Sequence, residues 1–248
     1  MDDVTTWMIL ALGGLVAGVI NTLAGGGSLL TVPLLVFMGL PATTANGTNR
    51  IGVLFQNLVS TLRFRKEGFD GFRGAAPVLV PVVIGSVLGA AIASRMPAEI
   101  FKQVFGIAMV GLLIPILRQA GPSKESKNAA PRSKFWNGII FLGIGVYGGA
   151  IQAGVGLFLI AALARSGLDL VRANAIKVLV IGVLTLVAVP VFIAHDQVDW
   201  PFASALVVGF ALGGELGARA AVRGGERLIR PVLIVSVLAM AGRMLSLY

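Results

Sequence analysis

Apolar residues run along this chain in ten blocks, parted by short polar or glycine-rich interruptions. The blocks cover residues 6–23, 28–40, 43–62, 74–93, 100–117, 135–150, 155–164, 173–194, 200–218 and 228–247. Runs of this length predict helices of a membrane protein, since a spanning helix needs about 20 apolar residues. The second and seventh blocks are short, and each follows a glycine-rich stretch. The widest polar gap, 118–134, carries Gly121, Pro122 and Pro131 and marks the one internal boundary. It divides the chain into a first membrane unit (1–117), a linker (118–134) and a second membrane unit (135–248).

Composition agrees. Of 248 residues, 56% are hydrophobic and 12% charged, with a mean hydropathy of +0.91. A soluble domain carries about twice that charged fraction. There are no cysteines and one histidine, which excludes thiolate chemistry, disulfides and a multi-histidine metal site. No cofactor is expected.

The net charge of +9 does not point to nucleic acid, because no soluble basic module exists to carry it. The basic residues cluster between apolar blocks. With ten crossings and the N-terminus outside, fifteen Lys and Arg fall in the inner loops 63–73, 118–134, 165–172 and 219–230, and three in the outer set. That is the positive-inside distribution of a cytoplasmic-membrane protein with both termini outside. The acidic start, Met1-Asp2-Asp3, predicts a retained first helix and no cleavable leader.

The two units share residues at an offset of 128. Gly26/Gly154, Leu29/Leu157, Leu35/Leu163, Gly39/Gly167, Leu40/Leu168, Ala45/Ala173, Asn46/Asn174, Leu58/Leu186 and Val59/Val187 are identical pairs. At an offset of 124, Gly85, Gly89 and Arg95 match Gly209, Gly213 and Arg219. Five blocks per unit is an odd number, so the second copy enters the membrane from the opposite side. The expected fold is an all-α polytopic membrane protein of two inverted-topology repeats, five hydrophobic segments each, broken near Gly25–Gly27 and Gly148–Gly156.

Matching broken segments are the best pointer to a substrate site in such folds. Irregular backbone at membrane depth belongs where it lines an enclosed or watery cavity. The first break holds Asn21, Gly25, Gly26, Gly27 and Ser28, and the helix beyond opens with Asn46, Thr48, Asn49 and Arg50. The second holds Gln152, Gly154 and Gly156, and its next helix carries Asn174 and Lys177. Amide donors, helix N-termini and two cations together describe a site for a small anion. The bland alternatives are interfacial snorkelling for Arg50 and Lys177 and helix capping for Asn46 and Asn174. Gly85, Gly89, Gly209 and Gly213 read as close helix packing. Glu215 reads as a salt bridge near the cytoplasmic end, His195 as a solvated surface residue. The segments around Asp70 and Asp199 read as paired interfacial turns, with Trp200 as an anchor.

The run from Asn21 through Gly25-Gly26-Gly27-Ser28 to Leu35, followed by Gly39 and Ala45-Asn46-Gly47-Thr48, resembles the signature of the TauE/SafE sulfite exporter family. Gly148 to Gly167 and then Ala173-Asn174-Ala175 resemble its second copy. The resemblance implies an exporter of a small anion such as sulfite, thiosulfate or sulfoacetate. The second copy is less glycine-rich and has Ile176 where the first has Thr48, so the half-sites are unequal.

A secondary transporter working by alternating access is the expected function, with a small anion and the lipid bilayer as partners and a homodimer compatible with the sequence. An anion channel of the same architecture is the alternative. An intramembrane enzyme lacks a nucleophile–base pair, and a passive partner delivering sulfur species to a neighbour is a further option. No Gly-x-x-x-x-Gly-Lys-Ser/Thr loop is present, so any driving force comes from an ion gradient, the membrane potential or a partner.

Overall fold

The computed structural model describes residues 3–72, 75–119, 134–164 and 168–244. Among them the chain forms nine helices: α1 (Asp3–Ala24), α2 (Ser28–Phe37), α3 (Ala42–Lys66), α4 (Ala76–Ser94), α5 (Ala98–Gln119), α6 (Lys134–Ala150), α7 (Val155–Ala164), α8 (Leu170–Ile193) and α9 (Trp200–Met244). Val4–Ala24, Ala76–Ser94, Leu170–Ile193 and Trp200–Gly224 are long and apolar enough to cross a membrane. The lipid-facing surface is written in helical steps: Val4, Met8, Leu12 and Val16 on α1, and Val208, Leu212 and Leu216 on α9, are all exposed. The chain is a helical membrane protein.

Two expectations need correction. The stretch 219–230, read as a loop between a ninth and a tenth crossing, is part of the 45-residue helix α9. Gly224 and Gly225 suggest a break, but each glycine costs only about 1 kcal/mol in a helix. The strong formers around them, Arg223, Glu226, Arg227 and Leu228, carry the helix across. Nor are α2 and α7 full spanning helices by themselves: ten residues each rise about 15 Å, half of the hydrocarbon core. The interior of the linker, 120–133, lies outside the described residues, as does Gly167 of the repeat.

Both short helices fold back along their predecessors. Gly27 lies on Ala17 and Asn21 of α1, and Gly13 faces Leu34 at the far end of α2. In the second unit the Tyr147 and Phe158 rings meet edge to face at 5.3 Å, and the Tyr147 hydroxyl donates to the Ala153 carbonyl at 2.6 Å. The reversals are chemically encoded. Gly25 has φ +83°, while Gln152 and Gly154 have φ +63° and +74°, in the left-handed region that ends a helix. Beyond α2, Gly39 (φ +100°) closes a Schellman turn. Its amide donates to Val36 and the Leu40 amide to Leu35.

Helices then pack across the two units. The chief neighbour of α1 is α9, and that of α6 is α4. Glycine makes both approaches close: a β-carbon on Gly209 or Gly213 would overlap the Ala11 or Leu15 carbonyl oxygen, and one on Gly85 or Gly89 that of Leu142 or Val146. These glycines are packing residues, as their spacing predicted. Between the two pairs run α3 and α8, in contact with each other.

Candidate functional site

The two breaks cross at the centre of the molecule. Gly25 and Gly156 lie backbone against backbone, and a β-carbon on either would overlap the other's Cα. The Lys177 side chain crosses the same point, its Cδ 3.1 Å from where a Gly156 β-carbon would sit. All fourteen residues expected at the site, from Asn21 to Lys177, are buried.

Each central helix sends its cation to the other unit's interrupted helix. Arg50 of α3 donates from Nη1 to the Gly148 carbonyl at 3.1 Å and from Nη2 to the Gly149 carbonyl at 2.6 Å, at the end of α6. Its guanidinium also stacks over the Phe192 ring, 4.6 Å from the centroid. Lys177 of α8 donates from Nζ to the carbonyls of Asn21 at 3.0 Å and Thr22 at 2.7 Å, at the end of α1. Both side chains are fully buried, with 0% exposure, so neither snorkels. The last carbonyls of a helix lack intrahelical donors and carry its negative dipole end, which suits a cation. Among the described residues no carboxylate forms an ion pair with either. Carbonyl dipoles and one aromatic ring are what these two cations rest on among the described residues.

The amides divide. Asn46 donates from Nδ2 to the Ala150 carbonyl at 2.9 Å, leaving its Oδ1 unpartnered. Asn174 is buried with neither amide atom partnered. Neither is a helix cap: Pro41 precedes α3, and Asp169 caps α8 by accepting the Arg172 amide. Asn49 ties α3 to α2, donating to Ser28 Oγ at 3.0 Å and accepting from Thr31 Oγ1 at 2.5 Å. Gln152 donates to Thr185 Oγ1 at 2.8 Å. Thr48 is not brought to the crossing; its hydroxyl accepts the Asp199 amide at 2.9 Å and so anchors the turn before α9.

Sequence reading missed a second buried polar layer. Gln56 accepts from Asn21 Nδ2 at 2.5 Å and donates to Thr22 Oγ1 at 2.7 Å. Ser60 lies 3.1 Å from the Thr22 hydroxyl and donates to the Gly214 carbonyl at 3.0 Å. This network holds the end of α1 whose carbonyls receive Lys177. Its signal was available, because Asn46, Asn49, Arg50, Gln56, Asn57 and Ser60 recur at helical spacing along α3.

The flanking expectations resolve simply. Glu215 reaches neither buried cation; it pairs with Arg219 at 2.8 Å and Arg63 at 3.4 Å. His195 is exposed, its Nδ1 2.8 Å from the Val191 carbonyl oxygen. The two turns each pack on a central helix: Gly71 on Ala175 of α8, and Gln197 on Gly47 of α3. A cleft of about 210 Å³, lined by Phe69, Asp70, Arg172, Ala175 and Ile176 among others, lies at the first of these turns, and neither Arg50 nor Lys177 lines it.

Residues 10–244 match the family model described as sulfite exporter TauE/SafE. A Sinorhizobium protein named probable membrane transporter protein ORF9 is 28% identical over 96% of this chain and 91% of its own length. A Haemophilus influenzae protein named probable membrane transporter protein is 28% identical over 95% of this chain and 93% of its own. No solved structure matches the chain. With nearly its whole length matched, and the broken segments that carry the resemblance meeting at the fold's centre, the chain belongs to the sulfite exporter TauE/SafE family.

Proposed function

We propose that this chain is a secondary transporter that exports a small anion, with sulfite, thiosulfate or an organosulfonate such as sulfoacetate as the substrate class. The observation that carries it is the pair of fully buried cations, Arg50 and Lys177, resting on carbonyl ends of interrupted helices. A buried cation costs a few kcal/mol or more. Carbonyl hydrogen bonds and helix dipoles offset part of that. The remaining positive field stabilises an anion that can displace the carbonyls and accept the same donors. Arg50 offers an oxyanion a planar fork, Lys177 a compact point charge.

The two units form an inverted repeat in this reading. The exchange of partners, α1 with α9 and α6 with α4, and the reciprocal cation clamps support it. Alternating access comes from one unit's elements rocking against the other's. The turns at 67–72 and 168–169 face the cytoplasm, as their basic flanks suggest. A doubly charged anion leaving a negative interior gains roughly 2.3 kcal/mol per charge per 100 mV, enough to drive export without a coupling ion.

The test is counterflow in proteoliposomes preloaded with sulfite, thiosulfate or sulfoacetate. A carrier exchanges external label against trapped substrate, whereas a channel of the same lining lets it equilibrate without trans-acceleration. Saturable counterflow of at least one anion is expected. None for any of the three, in protein shown to be folded, would refute the reading.

A further inference from the structure

Asn46 and Asn174 are equivalent positions of the two units at an offset of 128. At the offset of 128 that aligns Asn46 with Asn174, Ala150 aligns with Thr22. Asn46 Nδ2 donates to the Ala150 carbonyl, closing the end of α6. Its twin has no such bond. The Thr22 carbonyl is taken by Lys177 Nζ at 2.7 Å, and the Asn174 amide is left buried with both atoms unpartnered. An unsatisfied amide in a protein interior carries a desolvation penalty, and native structures keep few of them. Here it sits one helical turn from the cation that holds its counterpart acceptor.

We propose that Asn46 and Asn174 are alternating positioning residues, each holding the carbonyl end of the other unit's interrupted helix in one access state and releasing it in the other. This rests on the carrier reading. The structure is the state in which Asn46 is engaged and Asn174 is free. In the opposite state Asn174 donates to the Thr22 carbonyl, as Asn46 now donates to Ala150. Lys177 then gives up one of its two carbonyls, and its ammonium turns a free N–H to the anion. One amide–carbonyl bond, Asn46 to Ala150, breaks and an equivalent one, Asn174 to Thr22, forms, while the anion takes the place of the carbonyl that Lys177 gives up. Two states related in this way lie close in energy, which a carrier requires.

The experiment uses the absence of native cysteines. Ala45→Cys and Ala173→Cys are made singly, at an equivalent pair of positions that are both buried. Each is labelled with a membrane-impermeant maleimide from each side of oriented vesicles. Asn46→Leu removes the engaged latch and Asn174→Leu the waiting one. Asn46→Ser and Asn174→Ser are measured beside them as milder changes that keep the fold. The ratio of labelling at position 45 to labelling at position 173 is expected to move in opposite directions for the two asparagines. The size expected is about fivefold, the shift carried by one buried hydrogen bond. Equal or same-direction changes overturn the latch while native counterflow in the same vesicles keeps the carrier reading standing. Native protein that exchanges no anion overturns both.

Discussion

Gly25 and Gly156 touch through their backbones where the two interrupted helices cross, leaving no room for a β-carbon on either. Gly25→Ala is doubly penalised, by overlap with Gly156 and by its φ of +83°. Gly156→Ala meets the overlap and the Lys177 stem. Each substitution is expected to lower the melting temperature in detergent by several degrees and to abolish exchange. Gly143→Ala, on a helical backbone with nothing within 4 Å, is expected to melt at or slightly above the native temperature. A thermal-shift series over the three variants checks this.

Arg50 reaches its two carbonyls through the separate nitrogens of a planar fork, a shape that the compact ammonium of lysine does not share. Arg50→Lys is expected to reduce anion exchange by at least about tenfold, as the planar fork that fits an oxyanion is replaced by a point charge. Phe192→Leu removes the ring beneath the guanidinium and is expected to have a smaller effect, about 1 kcal/mol of the interaction. Initial exchange rates against substrate concentration rank the two, with Arg50→Lys the more severe.

The Gln56 amide braces the end of α1 through Asn21 and Thr22. Gln56→Leu strips both bonds inside a buried network, so a loss of about 1–3 kcal/mol of stability is expected. Gln56→Glu, which retains an acceptor for Asn21, is expected to retain the contact to Asn21 but lose the donor to Thr22. Thermal melts together with substrate KM separate bracing from folding: a braced end predicts a raised KM in the glutamate variant.

Gly89 on α4 and Gly213 on α9 make matching approaches to α6 and α1. Gly89→Leu and Gly213→Leu are each expected to destabilise strongly, by more than about 2 kcal/mol, because the clash is with helix backbone. Gly138→Leu, with nothing within 4 Å of its β-carbon position, is expected to fold normally. Size-exclusion profiles after detergent extraction distinguish the three.

Much of this was written in residue order. The positions of the breaks, the short helices after them and the paired cations follow from glycine runs and from charges stranded inside apolar blocks. The glycine pairs at 85/89 and 209/213 announced their packing by spacing alone. The uninterrupted α9 was not legible, because glycine between strong helix formers reads equally as a break or a continuation. Thr48 was misplaced because its neighbours Asn46, Asn49 and Arg50 turn to the crossing or to α2, while its own hydroxyl meets a turn that arrives from the second unit. The Gln56–Ser60 layer continues the polar stripe of α3, but its partners on α1 and α9 are set by packing and not by spacing. Contacts between units, such as Lys177 on the Asn21 carbonyl, depend on the fold and have no local signature.

The central claim is that Arg50 and Lys177 hold a small anion where the interrupted helices cross. Equilibrium binding of radiolabelled sulfite, thiosulfate and sulfoacetate to purified protein tests it most directly, comparing native chain with Arg50→Gln, Lys177→Gln and the surface control Arg172→Gln. Saturable binding of at least one anion, weakened about tenfold or more in both buried-site variants and unchanged in the control, is the predicted result. Native-like binding by both folded variants would contradict the account.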